Sequence, residues 1–176
     1  MKSSCLISNT GPLLALSGAG HLDLLYSLYA RVLIPDAVDH ELRQGGGKSF
    51  GLSDYLRAEW IQVHPIQAVD PLLLSHLDKG EAAVIALALK TGSASLLIDE
   101  RRARKIARTV YVLNVLGTVR ILLESKKAGL IEKVDDVLIA MRDNGYWIHE
   151  DIVDYALKTA GEGRLPFGMG GIPSYF

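Results

Sequence analysis

The stretch "SLLIDERRARKIAR", from Ser95 to Arg108, brings opposite charges together at one point of the chain. A short apolar run ends in two carboxylates, Asp99 and Glu100. Five cations follow within eight residues: Arg101, Arg102, Arg104, Lys105 and Arg108. Acids placed at the mouth of a strand have two uses. They can cap the helix that comes next, because its first N–H groups lack partners. They can also hold a hard cation through oxygen, beside a basic surface that attracts phosphate. Both uses stay open for Asp99, and Arg101 and Arg102 can equally form a solvated face.

Three further positions carry polar groups at element boundaries. Asn9 ends the apolar stretch "CLIS" in the way Asp99 ends "SLLI". Glu81 lies in "LDKGEAAVIALA", where Asp78-x-x-Glu81 has the spacing of a capping box and suits the helix dipole. Spacing alone favours that cap over a ligand. Glu41 sits in "DAVDHELRQ" beside the Val38–Leu42 stripe and so borders a buried face, where an acid is ordinarily just surface.

Other motifs fail on inspection. "GGGKS" lacks the leading glycine of a phosphate-binding loop, since position 42 is Leu42, and it follows a helix instead of a strand. "GAGHLD" has Asp23 where a dinucleotide fingerprint needs its third glycine. The histidines at 21, 40, 64, 76 and 149 never take the H-x-x-x-H spacing of a zinc helix. The lone Cys5 excludes an internal disulfide or a cysteine-built zinc site and suits a reducing compartment. Tyr26, Tyr29 and Trp60 read as core rather than as stacking platforms.

These residues need elements to position them. Strands are expected at "CLIS", "RVLIP", "IQVHPI", "SLLID" and "VYVLN", with "NTGP" closing the first. Between and after them lie helices at "HLDLLYSLYA", "DAVDHELRQ", "DYLRAEW", "DPLLLSHL", "KGEAAVIALALKTG", "ERRARKIART", "GTVRILLESKKAGLI", "VDDVLIAMRDNG" and "HEDIVDYALKTAG". Alternation of this kind predicts one α/β domain, a parallel sheet covered on both faces. Chemistry in such sheets collects outside the carboxyl ends of the strands. Asn9 and Asp99 then share a crevice if their strands are neighbours. The domain is expected over residues 1–161, with a flexible loop at Gly45–Gly51 and a glycine-rich tail over 162–176.

With 176 residues, 49% of them hydrophobic, the chain can bury a continuous core. Its net charge of −1 makes no overall case for nucleic acid, so any basic surface is local and the run after Glu100 leads. No apolar run approaches a membrane helix or a signal peptide, which predicts a soluble cytoplasmic protein without membrane contact. The apolar helices "HLDLLYSLYA" and "DPLLLSHL" are either core or a surface for a homodimer or another protein.

The order of these acids resembles that of the PIN-domain nucleases, and within them a prokaryotic, toxin-type branch. The matching stretches are "ISNTGPLLAL", "VLIPDAVDHEL", "LDKGEAAVIALAL", "LLIDERRARKIA" and "LGTVRILLESKKAGLI", in that order over residues 6 to 131. The resemblance implies a three-layer α/β/α domain whose clustered acids bind Mg²⁺ or Mn²⁺ and cut RNA. Many such relatives are toxins of type II toxin–antitoxin pairs, held by a small cognate antitoxin protein. Its four acid positions fall on Asn9, Glu41, Glu81 and Asp99, and its small hydroxyl positions on Thr10 and Thr118. Arg101, Arg102, Arg104 and Lys105 would draw the RNA backbone by charge alone. Asn9 stands where the pattern has aspartate: it keeps a carbonyl oxygen for a metal and drops the charge. The alternatives are a degenerate module that binds RNA or a protein without cleaving, and a flavodoxin-like nucleotide-binding regulator, disfavoured by the missing phosphate loop.

Overall fold

The computed structural model describes residues 5–45, 51–92 and 94–163. The loop expected at Gly45–Gly51 therefore lies mostly outside the described residues, as does the tail beyond residue 163. Five parallel strands form the centre: β1 (Leu6–Ser8), β2 (Val32–Pro35), β3 (Ile61–His64), β4 (Ser95–Leu97) and β5 (Asn114–Leu116), in the order β3-β2-β1-β4-β5. β1 and β2 are buried at every position. Residues of both parities must then be apolar, which is why these strands read as unbroken apolar runs and not as alternation.

Helices cover the sheet as α1 (Thr10–Gly18), α2 (Asp23–Leu28), α3 (Asp36–Gln44), α4 (Leu52–Arg57), α5 (Pro71–Leu74), α6 (Lys79–Thr91), α7 (Arg101–Thr109), α8 (Thr118–Lys127), α9 (Val134–Asp143) and α10 (Glu150–Thr159). The result is a three-layer α/β/α domain. α6 packs across β2, β1 and β4 through Ala82, Val84, Ile85 and Ala88, all within 1% of full burial. Small residues there let the helix lie close to the sheet. Among the described residues no helix is long and apolar enough to cross a membrane.

Three local expectations need correction. The "NTGP" stretch opens a helix, α1, instead of a turn. Pro12 falls in its first turn, where the missing N–H has no helical partner to lose. The last strand is "NVL", not "VYVLN". Val110 closes α7, Val112 stands exposed at φ 53°, and the Leu113 N–H returns to Ala107 O, so pairing begins only at Asn114. Tyr26 is not core: it is 52% exposed and lies tilted against Trp60, which is half-buried, whereas Tyr29 is buried.

The end of the described chain is tied down. Glu162 accepts from Lys126 Nζ (2.5 Å), Val134 N (2.8 Å) and Asp135 N (2.9 Å), joining the last residues to α8 and the start of α9. These donors hold its carboxyl below the usual range, although its burial alone pulls the other way.

Candidate active site

β1 and β4 are hydrogen-bonded neighbours, with Ser8 opposite Leu97. The Asn9 N–H extends the ladder by one step to Leu97 O at 3.0 Å. Asn9 and the Asp99 side of the sheet thus share one carboxyl edge, the crevice that parallel topology provides. Asn9 occupies the N-cap position of α1 in extended backbone, yet its side chain makes no capping bond. Its Oδ1 is buried and, among the described residues, has no hydrogen-bond partner. An unspent buried carbonyl is costly unless something fills its lone pairs.

Thr10, the first residue of α1, donates its hydroxyl to Glu41 Oε2 at 2.6 Å. That bond aims an otherwise exposed carboxylate of α3 back toward the sheet. Gly80, in the first turn of α6, completes the arrangement. A Cβ placed on it would lie 3.1 Å from Glu41 Oε2, 3.3 Å from Asn9 Oδ1 and 3.4 Å from Asp78 Oδ1. Three oxygens from three elements therefore face the space that this glycine leaves open. Glu41 and Asp78 border a cleft of about 660 Å³ lined also by Asp36, His40, Lys79 and Gly80, while Asn9 Oδ1 is buried beside it.

Glu81 serves the helix, as its spacing suggests. Its N–H donates to Asp78 Oδ1 at 2.8 Å, and its Oε2 accepts the Asp78 N–H at 3.2 Å, so both halves of the capping box are made. Burial pushes its carboxyl up, and the negative charges of Asp78 and Glu100 add to this.

Asp99 is treated differently. Its Oδ1 accepts the Thr118 N–H at 2.7 Å, and its Oδ2 accepts the Thr118 hydroxyl and the Tyr146 hydroxyl, both at 2.5 Å. Of the two uses its sequence context allowed, it meets the first at an unexpected helix, α8 rather than α7. α7 has Glu100 as its N-cap, with no side-chain bond. Burial and then the adjacent Asp99 charge push the Tyr146 hydroxyl far up, so it stays protonated and donates. The same oxygen lies 3.8 Å from where a Cβ on Gly11 would stand, which brings Tyr146 against the start of α1.

A second cleft, of about 770 Å³, opens over Asp99 between Arg101, Arg104, Thr118, Tyr146 and Trp147. Of the basic run, Arg101, Arg102 and Lys105 are exposed and Arg104 is half-buried. Arg102 is near enough to Glu81 to oppose the rise in its pKa. Arg108 is spent on structure, donating to Val115 O at 2.7 Å.

The expected residues therefore divide. Thr10, Asn9 and Glu41 come together around Gly80, Thr118 and Asp99 around α8, and Glu81 sits at the cap between Asp78 and the helix. Among the described residues no three His, Cys, Asp or Glu side chains group as a metal cage. The Asn9–Glu41 pair nonetheless fits a divalent cation. It offers one anionic and one neutral oxygen, 3.1 and 3.3 Å from the point a Gly80 Cβ would occupy, and Mg²⁺ takes one or two carboxylates and keeps several waters. Reading by sequence missed Asp78 and Gly80 as parts of this rim, and Tyr146 entirely. Asp78 had a signal in its cap spacing; Tyr146 had none.

No curated protein sequence matches the chain. A family model described as PIN domain matches residues 5–162, which is nearly the whole described fold. PIN domains are generally nucleases and act on nucleic acid. The parallel α/β/α frame and the match over its full length carry one conclusion: the chain belongs to the PIN-domain family.

Proposed function

We propose that this protein is a divalent-metal-dependent endoribonuclease, the toxin of a type II toxin–antitoxin pair, working in the cytoplasm as a single domain over residues 1–161. The observation that carries this reading is the unpartnered Asn9 Oδ1 facing Glu41 Oε2 across the gap at Gly80. Asn9 and Glu41 would hold Mg²⁺ or Mn²⁺, with Glu81 and Asp99 supplying charge at the same sheet edge. Such an ion polarises a phosphodiester and makes a bound water acidic enough to attack. Thr10 keeps Glu41 turned inward, and Thr118 does the same for Asp99. A carboxylate offers about four acceptor sites, so Asp99 retains one beyond its three donors. Arg101, Arg102, Arg104 and Lys105 hold the RNA backbone by charge, without reading sequence.

The exposed Leu72 and Leu74 of α5 offer apolar area to the antitoxin or to a second copy of the chain. A second reading has an observation of its own. Asn9 is neutral and Asp99 is already bound by three donors, which suits a module that binds RNA without cutting it.

The test is cleavage of end-labelled structured RNA in Mn²⁺, in Mg²⁺ and in EDTA, with Asp99→Asn alongside. Metal-dependent cleavage lost in the variant supports the nuclease. RNA binding without cleavage, switched to cleavage by Asn9→Asp, supports the binding module. Growth arrest on expression, relieved by co-expressing a small protein encoded beside it, tests the toxin role.

A further inference from the structure

Trp147 is 77% exposed, although the chain has only two tryptophans. It stands between α9 and α10, directly after the tyrosine that is bound to Asp99. Its ring meets His149 edge to face, with centroids 5.7 Å apart at 88°. Tyr146 is fixed by its bond to Asp99, so the indole beside it leaves an anchored backbone. An exposed indole on a fixed support, at the wall of a cleft, offers a stacking surface at low entropic cost.

Arg104, in the same cleft, lacks a partner for its charge. Among the described residues it makes no ion pair and no hydrogen bond through its side chain. Burial and the nearby Arg108 both work against its protonated form, and only Asp99 favours it. Its Nη1 lies 2.5 Å from where a Cβ on Gly117 would stand, and Asp99 Oδ1 lies 3.1 Å from that point. The glycine therefore makes room for both groups, although they do not pair. A half-buried guanidinium beside a like charge suits an anion, and Arg101 lines the same space, as do the carboxylates of Asp99, Glu100 and Asp151. Ile148 and Ile152 supply an apolar wall, and about 770 Å³ is the size of a small-ligand site.

An apolar protein surface would use Trp147 and Ile152 and leave Arg104 unexplained. A nucleotide uses all of them. We propose that this cleft is a subsite for one unstacked nucleotide of single-stranded RNA, its base lying on Trp147 and its phosphate on Arg104 and Arg101. The ligand class rests on the ribonuclease reading above. A base still paired in a duplex cannot reach the indole, so the subsite selects unpaired RNA without selecting its sequence.

The experiment is titration of the intact protein, in EDTA so that nothing is cut, with uridine monophosphate, a short oligouridylate and an RNA duplex of equal length. Tryptophan emission is read in Trp60→Phe, where Trp147 is the one remaining indole. The oligouridylate should quench that emission to saturation. Trp147→Ala should weaken its binding about tenfold, the loss of one stacked base. Trp147→Phe should keep most of the affinity, and Arg104→Gln should weaken binding and flatten its dependence on salt. Binding to the duplex should be indifferent to Trp147. Equal affinity of wild type and Trp147→Ala for the oligouridylate overturns the subsite and leaves the indole to a protein partner. The two readings fail separately. Metal-dependent cleavage with no role for Trp147 keeps the nuclease and removes the subsite. Quenching by uridine monophosphate without cleavage in any metal keeps a nucleotide site and removes the nuclease.

Discussion

Glu41 and Asp99 stand at the same edge of one sheet, but the fold holds Glu41 by a single hydroxyl and Asp99 by three donors. On the Glu41 side one hydroxyl serves the carboxylate, and among the described residues Asn9 Oδ1 has no hydrogen-bond partner. On the Asp99 side the acid already accepts three hydrogen bonds, and among the described residues it is a cation, Arg104, that makes neither an ion pair nor a side-chain hydrogen bond. One cleft therefore leaves an oxygen free for a cation, and the other leaves a guanidinium free for an anion, although Glu100 and Asp151 also line it. The reaction proposed here needs both, a metal and a phosphodiester, and the fold meets the two demands on either side of the β1–β4 mouth.

The hardest test of this contrast is Asp99→Ala. It should lower RNA cleavage by roughly two orders of magnitude, the upper range for a group next to a metal centre. It should also lower unfolding stability by about 2–3 kcal/mol, because bonds to a charged group are lost and the α8 start is uncapped. Urea melts read beside the cleavage assay check both. Glu41→Gln should behave otherwise: Mn²⁺ affinity and cleavage fall about tenfold while stability stays within about 0.5 kcal/mol, as for surface changes. If the two variants destabilise equally, the contrast between the clefts is wrong. Thr10→Val should weaken Mn²⁺ binding in calorimetry by a similar or smaller factor, since it only frees Glu41 to turn outward.

Glu81→Gln separates cap from ligand through pH. A carboxyl whose pKa is raised by folding binds its proton more tightly in the native state, so stability falls as pH rises from the free-carboxyl range through the folded value. Glutamine keeps an acceptor for the Asp78 N–H and does not ionise. Melts between mildly acid and neutral pH should show the variant gaining on wild type as pH rises, with no such gain if Glu81 is stabilised as an anion. The smallest effect belongs to Tyr146→Phe, about 1 kcal/mol for one hydrogen bond, with cleavage nearly unchanged.

Much of this frame is written in local pattern. Apolar runs flanked by helical periods give a parallel sheet with Asn9 and Asp99 at its carboxyl ends, but that their strands are neighbours is fixed by the strand order, which local pattern does not state. The D-x-x-E spacing of Asp78 and Glu81 states its cap directly. The strand ends could not say which acid faces a metal; that assignment came from the order of motifs shared with a family. α1 was hidden because Gly11 and Pro12 punctuate like a turn, although proline is harmless in a first helical turn. β5 slid because Val110, Tyr111, Val112 and Leu113 have every propensity for a strand, while Leu113 N–H was already committed to Ala107 O. Tyr146 lies 47 residues from the acid it binds, and nothing local announces a bond of that span.

The strand order carries a consequence for how the chain is made. β1 is the centre of the sheet and the first of its five strands to be made, and Leu6 must pair with Ser95 on its far side. At about 5–20 residues per second, on the order of ten seconds of translation separate the two. Throughout that interval β1, β2 and β3 can assemble while the other side of Leu6–Ser8 remains an open, apolar template for any passing strand. Recovery of intact protein should then follow the speed of translation between β3 and β4, and slower growth at low temperature should help only if nascent chains are kept apart until Ser95–Leu97 arrives.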